Sequence, residues 1–415
     1  MKKKDIEKLI LKNSCDRMYL TKEEERMRDG QEGYAVKKSM EILVALGNIY
    51  GAEKLIRVGS VQVAGVSYHN LGDAGLEFLN ELAKDGKVRV LTTLNPAGMD
   101  LENWRKLGIS EEFAKKQDLV IDAFRKMGII ISCTCTPYLI GNLPRYGEHI
   151  AWSESSAVTF ANSVIGAKTN REGGPSALAA AFVGKTPYYG LHLEENRVPD
   201  LHVDVRAKLK KFSDWGALGY CIGKKVENRI SYITGIEAAD LDELKSFCAS
   251  VVTYGSKPLF YMKGITPGSE RHQPPKEHVT VEDKDIKEAY ASINDDVDVI
   301  DFVCVGCPHS SIKEIASIAR LLENRKVSPN IEFWVATSRS MKQLADKRSY
   351  TKTIEKAGAK FACDTCMAVA PLKGRFRSVA TTSAKGCYYS RHNDMKTKLG
   401  SLEECVEAAV RGKWS

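Results

Sequence analysis

The apolar and polar positions of the chain alternate between two patterns, a helical spacing and short apolar runs. The stretch TKEEERMRDGQEG begins with a capping-box sequence at Thr21, and the helical spacing that follows predicts a helix with a break near Gly30 or Gly33. Residues 55–58 and 88–91 are apolar runs typical of short strands, and the helical segment DAGLEFLNELAKDG separates them. This order predicts parallel strands that are connected by helices.

The same order continues along the chain. Ser110 precedes the helical segment EEFAKKQDLVIDAFRKMG, and IIISC then predicts a buried strand that ends at Cys133. A second block begins at about Ile230, with the predicted strands PLFYM, VIDFVCVG, IEFWVAT, KFACDTC and SVATTS and the predicted helices DLDELKSFCASVV, VEDKDIKEAYASIN, SSIKEIASIARLLEN and SMKQLADKRSYTKTIEKAG among them. We therefore predict an α/β fold of doubly wound α/β/α domains with mainly parallel sheets. Its two regions, residues 1–225 and 226–415, have approximate boundaries that allow the domains to interleave.

Composition and charge exclude several classes of protein. With 415 residues, of which 43% are hydrophobic, the chain can bury a large core. The formal net charge of +8 is spread among 53 acidic residues, and no dense basic tract follows the MKKK start; this argues against a nucleic-acid partner and is compatible with a small anionic substrate. The N-terminus is unlike a signal peptide and no apolar run has membrane-spanning length. We therefore expect no membrane partner and a cytoplasmic protein whose 11 cysteines stay reduced.

Polar and thiol side chains recur at the carboxyl ends of the predicted strands. In open α/β sheets, ligands bind at these ends, where loops carry functional side chains and helix N-termini present free N–H groups. The residues placed there are Cys133 and Cys135, Cys307 with His309 and Ser310, Ser338 and Arg339, Asp364 and Cys366, and Ser383 and Lys385. We therefore expect a site with thiols and charged groups at this edge.

The cysteines allow four interpretations: a structural zinc site, a redox thiol, a nucleophile, or a set of iron–sulfur ligands. Cys304 with Cys307 and Cys363 with Cys366 form two CxxC pairs, which together could hold zinc. Each first cysteine, however, lies within an apolar strand, whereas a zinc knuckle places both cysteines around a tight turn. His309 follows Cys307 too closely in sequence to serve readily as its base. Three or four thiolates from separate loops would suit an iron–sulfur cluster.

The segment from residue 135 to residue 178 is rich in groups that bind oxyanions. These groups are Arg145, Ser155, Ser156, Asn162, Asn170, Arg171 and the backbone N–H groups of Gly173 and Gly174. Trp152 and Phe160 lie among them, which is unusual for a solvated loop, and we therefore predict an anion-binding site. The basic residues of this segment, with Arg339 and Lys385, could bind either carboxylate or phosphate.

Motifs spread over nearly the whole chain resemble those of the aconitase X group of hydro-lyases in its large-subunit form. They are SVQVAGVSYHNLGDAG, TTLNPAGMD, CTPYLIGNLP, the block from GEHIAWSESSAV to TNREGG, GLHLEENR, GCPHSS, DTCMAVAP and TTSAKG. The resemblance implies an aconitase-like α/β body of three domains, an iron–sulfur cluster and dehydration of a small hydroxy acid. Its motif cysteines make Cys135, Cys307 and Cys366 the preferred cluster ligands. The wider superfamily uses one cysteine and a CxxC pair, so Cys363 is a further candidate; a 4Fe–4S cluster is favoured and 2Fe–2S is the alternative.

The resemblance also suggests roles around the cluster. The catalytic candidates are Ser155, Ser156 and Lys385, and the substrate-binding candidates are Tyr68, His69, Asn95, Arg145, Asn170, Arg171 and Ser383. A separate small swivelling subunit is expected to complete the active site, so that the chain is active only with this partner. The expected substrate is mevalonate 5-phosphate, dehydrated to trans-anhydromevalonate 5-phosphate, with cis-3-hydroxy-L-proline as the alternative. The rival of another class is a non-catalytic zinc or redox-sensing protein.

Overall fold

The computed structural model describes residues 18–414 of the chain. The MKKK start considered above lies outside the described residues, as does Cys15. Three parallel sheets with flanking helices form the body of the protein, and a short antiparallel strand pair lies beside them. Each helix among residues 18–414 is too short or too polar to cross a lipid bilayer.

Fourteen strands lie among the described residues. In chain order they are β1 (Leu55–Arg57), β2 (Ser60–Val63), β3 (Leu91–Leu94), β4 (Ala151–Trp152), β5 (Lys185–Pro187), β6 (Leu201–Val205), β7 (Ser231–Thr234), β8 (Phe260–Met262), β9 (His278–Val281), β10 (Phe302–Val305), β11 (Glu332–Thr337), β12 (Lys360–Cys363), β13 (Ser378–Thr381) and β14 (Lys396–Leu399). All are short, with two to six residues each.

Fourteen α-helices lie among the described residues. They are α1 (Lys22–Arg28), α2 (Tyr34–Tyr50), α3 (Tyr68–Leu82), α4 (Glu111–Lys126), α5 (Ser155–Phe160), α6 (Gly174–Val183), α7 (Phe212–Val226), α8 (Leu241–Gly255), α9 (Asp283–Ile293), α10 (Ile312–Leu321), α11 (Arg339–Lys347), α12 (Tyr350–Ala357), α13 (Ala384–His392) and α14 (Leu402–Arg411). The predicted break near Gly30 or Gly33 separates α1 from α2.

The strands form three parallel sheets and one antiparallel pair, β1 with β5. The sheet orders are β3-β2-β4, β8-β7-β6-β9 and β12-β11-β10-β13-β14, with parallel neighbours throughout. The predicted α/β class with mainly parallel sheets is thereby confirmed. The predicted boundary between residues 225 and 226 falls inside α7, between two strands of the four-stranded sheet.

Local sequence explains where the helices begin and which face of the strands is buried. The Ser110 hydroxyl accepts from the Phe113 N–H at 3.2 Å and caps α4, and Thr21 forms the predicted capping box at α1. In β10, Val303 packs in the apolar cluster on one face of the five-stranded sheet and Cys304 in the cluster on the other face. This alternation, with apolar residues on both faces, is expected of a strand that helices cover on both sides.

Three sequence predictions are wrong in detail. Only Leu91 of residues 88–91 is in a strand, because β3 starts there. Residues 129–133 form no regular strand: the hydroxyl of Ser132 replaces the ladder bonds to Leu94, accepting from its N–H at 2.9 Å, and the chain turns at Cys133, whose φ is 41°. The helix predicted over residues 340–358 is divided into α11 and α12 by Ser349, which has a φ of 62°.

Candidate active site

The carboxyl ends of the three-stranded and five-stranded sheets face each other. The Ala97 N–H donates to the Asp364 carbonyl at 2.8 Å, and the Ser67 hydroxyl donates to the Val369 carbonyl at 3.0 Å, so the loops after the strands are in direct contact. In the five-stranded sheet, the chain leaves β10 toward β11 on one side and leaves β13 toward β14 on the other. Such a reversal opens a crevice between the two strands, and Cys307 follows β10 at this point.

Three cysteines from separate loops, Cys135, Cys307 and Cys366, lie at this crevice with 8%, 8% and 6% of their surface exposed. Burial raises the pKa of each thiol, to about 12 for Cys135, and the charges of Cys307 and Cys135 raise the pKa of Cys366 further. The three sulfurs therefore act on one another. Gly306 makes the approach of Cys307 possible, because its φ is 99° and a Cβ there would lie 2.1 Å from the Ala336 carbonyl oxygen.

The other two cysteines of the CxxC pairs lie within strands β10 and β12 rather than in the loops that follow them. Cys363 packs in the apolar cluster on one face of the five-stranded sheet, whereas Cys307 and Cys366 pack in the cluster on the opposite face. Cys304 is fully buried within β10, in register with Trp334 of β11. The placement of Cys363 thus does not support it as a ligand, because neighbouring side chains of a strand point to opposite faces of the sheet.

The three converging thiols suit an iron–sulfur cluster better than a single metal ion. Among residues 18–414, no three His, Cys, Asp or Glu side chains are close enough together to bind one ion. The ligands of a cluster bind different iron atoms and so stand farther apart, and thiolates are the common ligands of such clusters. The His309 N–H donates to the Cys135 sulfur at 3.2 Å. Burial raises the pKa of Cys307 and outweighs the Lys385 charge and the Ser383 hydroxyl, which lower it.

Glu154 is the central carboxylate of the crevice. It caps α5 by accepting from the Ser156 N–H at 3.3 Å and from the Ser156 hydroxyl at 3.0 Å, and it forms an ion pair with Lys385. Burial alone would raise the pKa of Glu154, but Lys385 and Ser156 outweigh it and lower the pKa to about 2. Burial lowers the pKa of Lys385, but Glu154 outweighs it and the pKa is raised. Both side chains are therefore charged although they are buried.

The predicted catalytic candidates do come together around this pair. The Lys385 ammonium lies 3.4 Å from the Ser155 hydroxyl and 3.5 Å from the Ser156 hydroxyl. The Asn95 amide donates to the other Glu154 oxygen at 3.0 Å, so Asn95 also lies at the crevice. Sequence reasoning missed Glu154 itself, because the strand that precedes it, β4, has only two residues and gives no pattern in the sequence.

Three buried polar atoms beside these residues have no hydrogen-bond partner among the described residues. They are the oxygens Asn95 Oδ1, Gln62 Oε1 and Thr365 Oγ1. Asn95 is bonded to Glu154, the Gln62 amide donates to the Thr134 carbonyl at 3.1 Å, and Thr365 directly precedes Cys366. Buried polar atoms are almost always paired, so these oxygens mark places where a polar ligand would be bound.

Several predicted substrate-binding residues lie elsewhere. The Tyr68 hydroxyl donates to Asp73 on the surface at 3.0 Å, and His69 is exposed beside it. Both polar atoms of the Asn170 side chain are bonded to the backbone of a later loop. Its amide nitrogen donates to the Tyr189 carbonyl at 3.1 Å, and its amide oxygen accepts from the Leu191 N–H at 2.8 Å. For Tyr68 and His69, a position after a predicted strand does not specify where the side chain points.

Arg145 also lies away from the crevice. Its N–H donates to Glu148 at 2.7 Å, before the start of β4, whereas Glu154 follows the carboxyl end of the same strand. Arg339 does not supply a free cation either, because it forms ion pairs with Asp100, Asp364 and Glu102. Neither arginine is therefore placed to bind a substrate anion in the crevice.

Arg171 and Ser383 are placed at the crevice. The Ser383 hydroxyl caps α13 by accepting from the Gly386 N–H at 2.9 Å and lies at the Cys307 sulfur. Arg171 is exposed, makes no ion pair with any residue of 18–414, and its charge lowers the pKa of Tyr389, which burial raises. The Lys385 ammonium lies 5.8 Å from the centre of the Tyr389 ring. Arg171 and Lys385 therefore flank the same aromatic side chain.

Sequence models of three domains cover most of the chain: the aconitase X first domain matches residues 17–195, the second domain residues 199–291 and the third domain residues 300–411. The phosphomevalonate dehydratase large subunit of Methanocaldococcus jannaschii is 51% identical over 384 residues, which cover 90% of this chain and 95% of that protein. The cis-3-hydroxy-L-proline dehydratase of Pseudomonas aeruginosa is 32% identical over 400 residues, covering 92% of this chain and 68% of that protein.

A solved structure is similar over nearly the full length. The holo-form of Thermococcus kodakaraensis aconitase X superimposes with a TM-score of 0.88 at 48% sequence identity, and the match covers 94% of this chain and 100% of that chain. The predicted aconitase-like fold is thereby confirmed.

Proposed function

The chain belongs to the aconitase X family, and we propose that it is the large subunit of a hydro-lyase that dehydrates mevalonate 5-phosphate to trans-anhydromevalonate 5-phosphate. The substrate assignment is supported by the higher identity to large subunits of phosphomevalonate dehydratase than to hydroxyproline dehydratases, 51% against 32% for the two relatives above. The observation that carries the chemistry is the buried Glu154–Lys385 ion pair at a crevice that also holds three cysteines.

An iron–sulfur cluster bound by Cys135, Cys307 and Cys366 would supply a Lewis acid toward the hydroxyl group that leaves. We favour three cysteines on separate loops as the ligand set, without Cys363, because the latter packs on the opposite face of the sheet. The fourth position of a cluster with three protein ligands would then be open to the substrate. The proposed cluster contains four iron atoms and four sulfides (4Fe–4S).

In this proposal the Glu154–Lys385 pair exchanges partners when the substrate binds. The substrate carboxylate competes with Glu154 for the Lys385 ammonium, because both are carboxylates and the ammonium is paired with Glu154 before the substrate binds. Once Glu154 loses this counter-charge, burial raises its pKa from the low value that Lys385 imposes, and the carboxylate becomes a stronger base. It can then take the proton from the carbon next to the substrate carboxylate, as the hydroxyl leaves from the following carbon.

The serines and the amide around Glu154 hold it in position for this proton transfer. The Ser156 hydroxyl and the Asn95 amide bind its two oxygens, at 3.0 Å each, and fix the plane of the carboxylate. A carboxylate held on both oxygens loses little orientation freedom on reaction, which favours transfer at a defined atom. Ser155 and Ser156 thus act through Glu154 rather than as nucleophiles.

The phosphate group of the substrate is assigned to Arg171. This side chain is exposed at the crevice and has no carboxylate partner among residues 18–414, whereas Arg339 and Arg145 are placed elsewhere. A free guanidinium can bind phosphate through two N–H groups at once. A separate small subunit then covers the crevice and excludes water. This partner is supported by the "large subunit" names of the archaeal relatives and by the greater length of the hydroxyproline dehydratase, of which the chain covers only 68%.

The direct test is a dehydration assay of the chain with and without the small subunit, using mevalonate 5-phosphate and cis-3-hydroxy-L-proline as substrates. We expect turnover of the phosphate ester only in the presence of both subunits. Turnover of cis-3-hydroxy-L-proline without turnover of mevalonate 5-phosphate would show that the chain is a hydroxyproline dehydratase instead. An active isolated chain would contradict the need for a partner.

A further inference from the structure

His309 contacts all three loops that carry the converging cysteines, and it is completely buried. It directly follows Pro308 in the Cys307 loop, and its N–H donates to the Cys135 sulfur at 3.2 Å. Its ring nitrogen Nε2 lies 3.0 Å from the carbonyl of Thr365, the residue before Cys366.

The partners of the ring define its tautomer. A carbonyl only accepts hydrogen bonds, so Nε2 must carry the hydrogen that is donated to Thr365. In the neutral ring Nδ1 is then an acceptor, and the Thr134 hydroxyl, 3.0 Å away, donates to it. Thr134 in turn accepts from the Thr136 N–H at 3.2 Å. The bonds therefore run in one direction, from the loop of Cys135 through the ring to the loop of Cys366.

A buried cation anchors His309 from outside the crevice. The Lys245 ammonium donates to the His309 carbonyl at 3.1 Å and lies 3.2 Å from Asp242, with Glu314 as a further ion-pair partner. Lys245 and Asp242 belong to α8, which flanks the four-stranded sheet, whereas Glu314 belongs to α10 beside the five-stranded sheet. The position of His309 is thus fixed by the parts of the fold that meet at the crevice.

We propose that His309 is a positioning residue that sets the spacing of Cys135, Cys307 and Cys366 for a cluster. This inference rests on the proposed function, because it takes the three thiols as ligands. Mutation of partners that orient metal ligands from behind costs about 10- to 100-fold in metal affinity or activity. The His309 N–H also points at a ligand sulfur, and hydrogen bonds to sulfur tune the reduction potential of a cluster. A histidine that merely filled the core would affect folding but not these properties.

Two matched pairs of variants test this role in the complex of both subunits, purified without oxygen. In His309→Gln the amide nitrogen can reach the place of Nε2 and keep the bond to Thr365, whereas in His309→Asn this bond is lost. In Thr134→Ser the hydroxyl that donates to Nδ1 is kept, whereas Thr134→Val removes it and leaves the shape nearly unchanged. The measurements are iron and acid-labile sulfide per chain, the rate of iron loss to a chelator, and the electron paramagnetic resonance spectrum, beside the melting temperature.

We expect His309→Asn and Thr134→Val to lose iron about 10- to 100-fold faster than the wild type and to show altered spectra. The variants His309→Gln and Thr134→Ser should be closer to the wild type in both measurements. Equal iron loss and equal spectra within both pairs would overturn the inference, even if melting temperatures differ. If His309→Asn does not fold, the Thr134 pair decides in the same way. A wild-type complex without iron and sulfide would instead overturn the proposed cofactor, and this role with it.

Discussion

The carboxylate of Glu154 and the ammonium of Lys385 form an ion pair that joins the three-stranded sheet to the five-stranded sheet. Only 13% and 7% of their side chains are exposed. A buried ion pair contributes little net stability over apolar residues of similar size, because both charges lose their hydration. We therefore regard this pair as a feature of the chemistry rather than of the fold.

The first prediction concerns stability. Lys385→Met leaves Glu154 as a buried charge without a partner and should destabilise the chain by about 3–5 kcal/mol in urea unfolding. The double variant with Glu154→Gln carries neither charge and should recover most of this loss. Simple addition of the two single effects in the double variant would contradict the pairing.

The second prediction concerns the proton transfer. Glu154→Gln keeps the shape and the Asn95 side of the site but removes the base, so kcat should fall by about 10²- to 10⁴-fold while substrate still binds. The measurement is kcat and KM for mevalonate 5-phosphate in the complex of both subunits. Retention of more than a tenth of kcat would exclude Glu154 as the base.

The third prediction separates the two arginines that sequence analysis grouped together. Arg171→Gln should raise KM by about 10- to 100-fold, since a hydrogen bond to a charged group is worth roughly 1.5–3 kcal/mol. Arg145→Gln is the matched control and should leave KM nearly unchanged, because Arg145 lies before β4 rather than after it. The reverse order of the two effects would show that the phosphate binds at the other edge.

The fourth prediction concerns acid stability. His192 is fully buried, its Nδ1 lies 3.0 Å from Nδ1 of His149, and burial lowers the pKa of His192 to about 3. The unfolded chain binds a proton on this residue below its ordinary pKa of about 6.5, whereas the folded chain does not until the pH approaches 3. Stability should therefore be fully present above pH 6.5 and fall by about 1.4 kcal/mol per pH unit for this residue as the pH decreases.

The check is the pH dependence of urea unfolding for the wild type and His192→Gln. The variant should have a flatter slope between the two pKa values, by one proton. Parallel slopes for both proteins would show that His192 also takes up its proton in the folded state.

The fold could be predicted well because the sequences of parallel α/β proteins alternate between apolar runs and helical segments. β10, β11 and β12 were found because each is an apolar run with turn residues after it. The two-residue strand β4 was not found, since so short a segment has no period of its own. The strand predicted at residues 129–133 is absent from the structure because the Ser132 hydroxyl makes the hydrogen bonds to Leu94 that the backbone of a strand would make.

The candidate site was predicted in part. Asn95, Cys307, Cys366 and Lys385 come within a few residues of the ends of β3, β10, β12 and β13, and the sheet order brings such ends together. Cys135 instead follows a segment that was predicted as a strand but is not a regular one. Tyr68 also follows a predicted strand, but its hydroxyl donates to Asp73. Asn170, predicted from its place in the segment rich in oxyanion-binding groups, is bonded to the backbone instead. These orientations depend on partners distant in sequence, which a single chain does not reveal.

The measurement that tests the account most directly is iron and acid-labile sulfide per chain in the complex of both subunits, purified without oxygen, for the wild type, Cys366→Ser and Cys363→Ser. The two cysteines belong to one CxxC pair but pack on opposite faces of the sheet. The account predicts iron and sulfide in the wild type, their loss in Cys366→Ser and their retention in Cys363→Ser. Zinc without sulfide in the wild type, or loss of iron in Cys363→Ser with retention in Cys366→Ser, would contradict it.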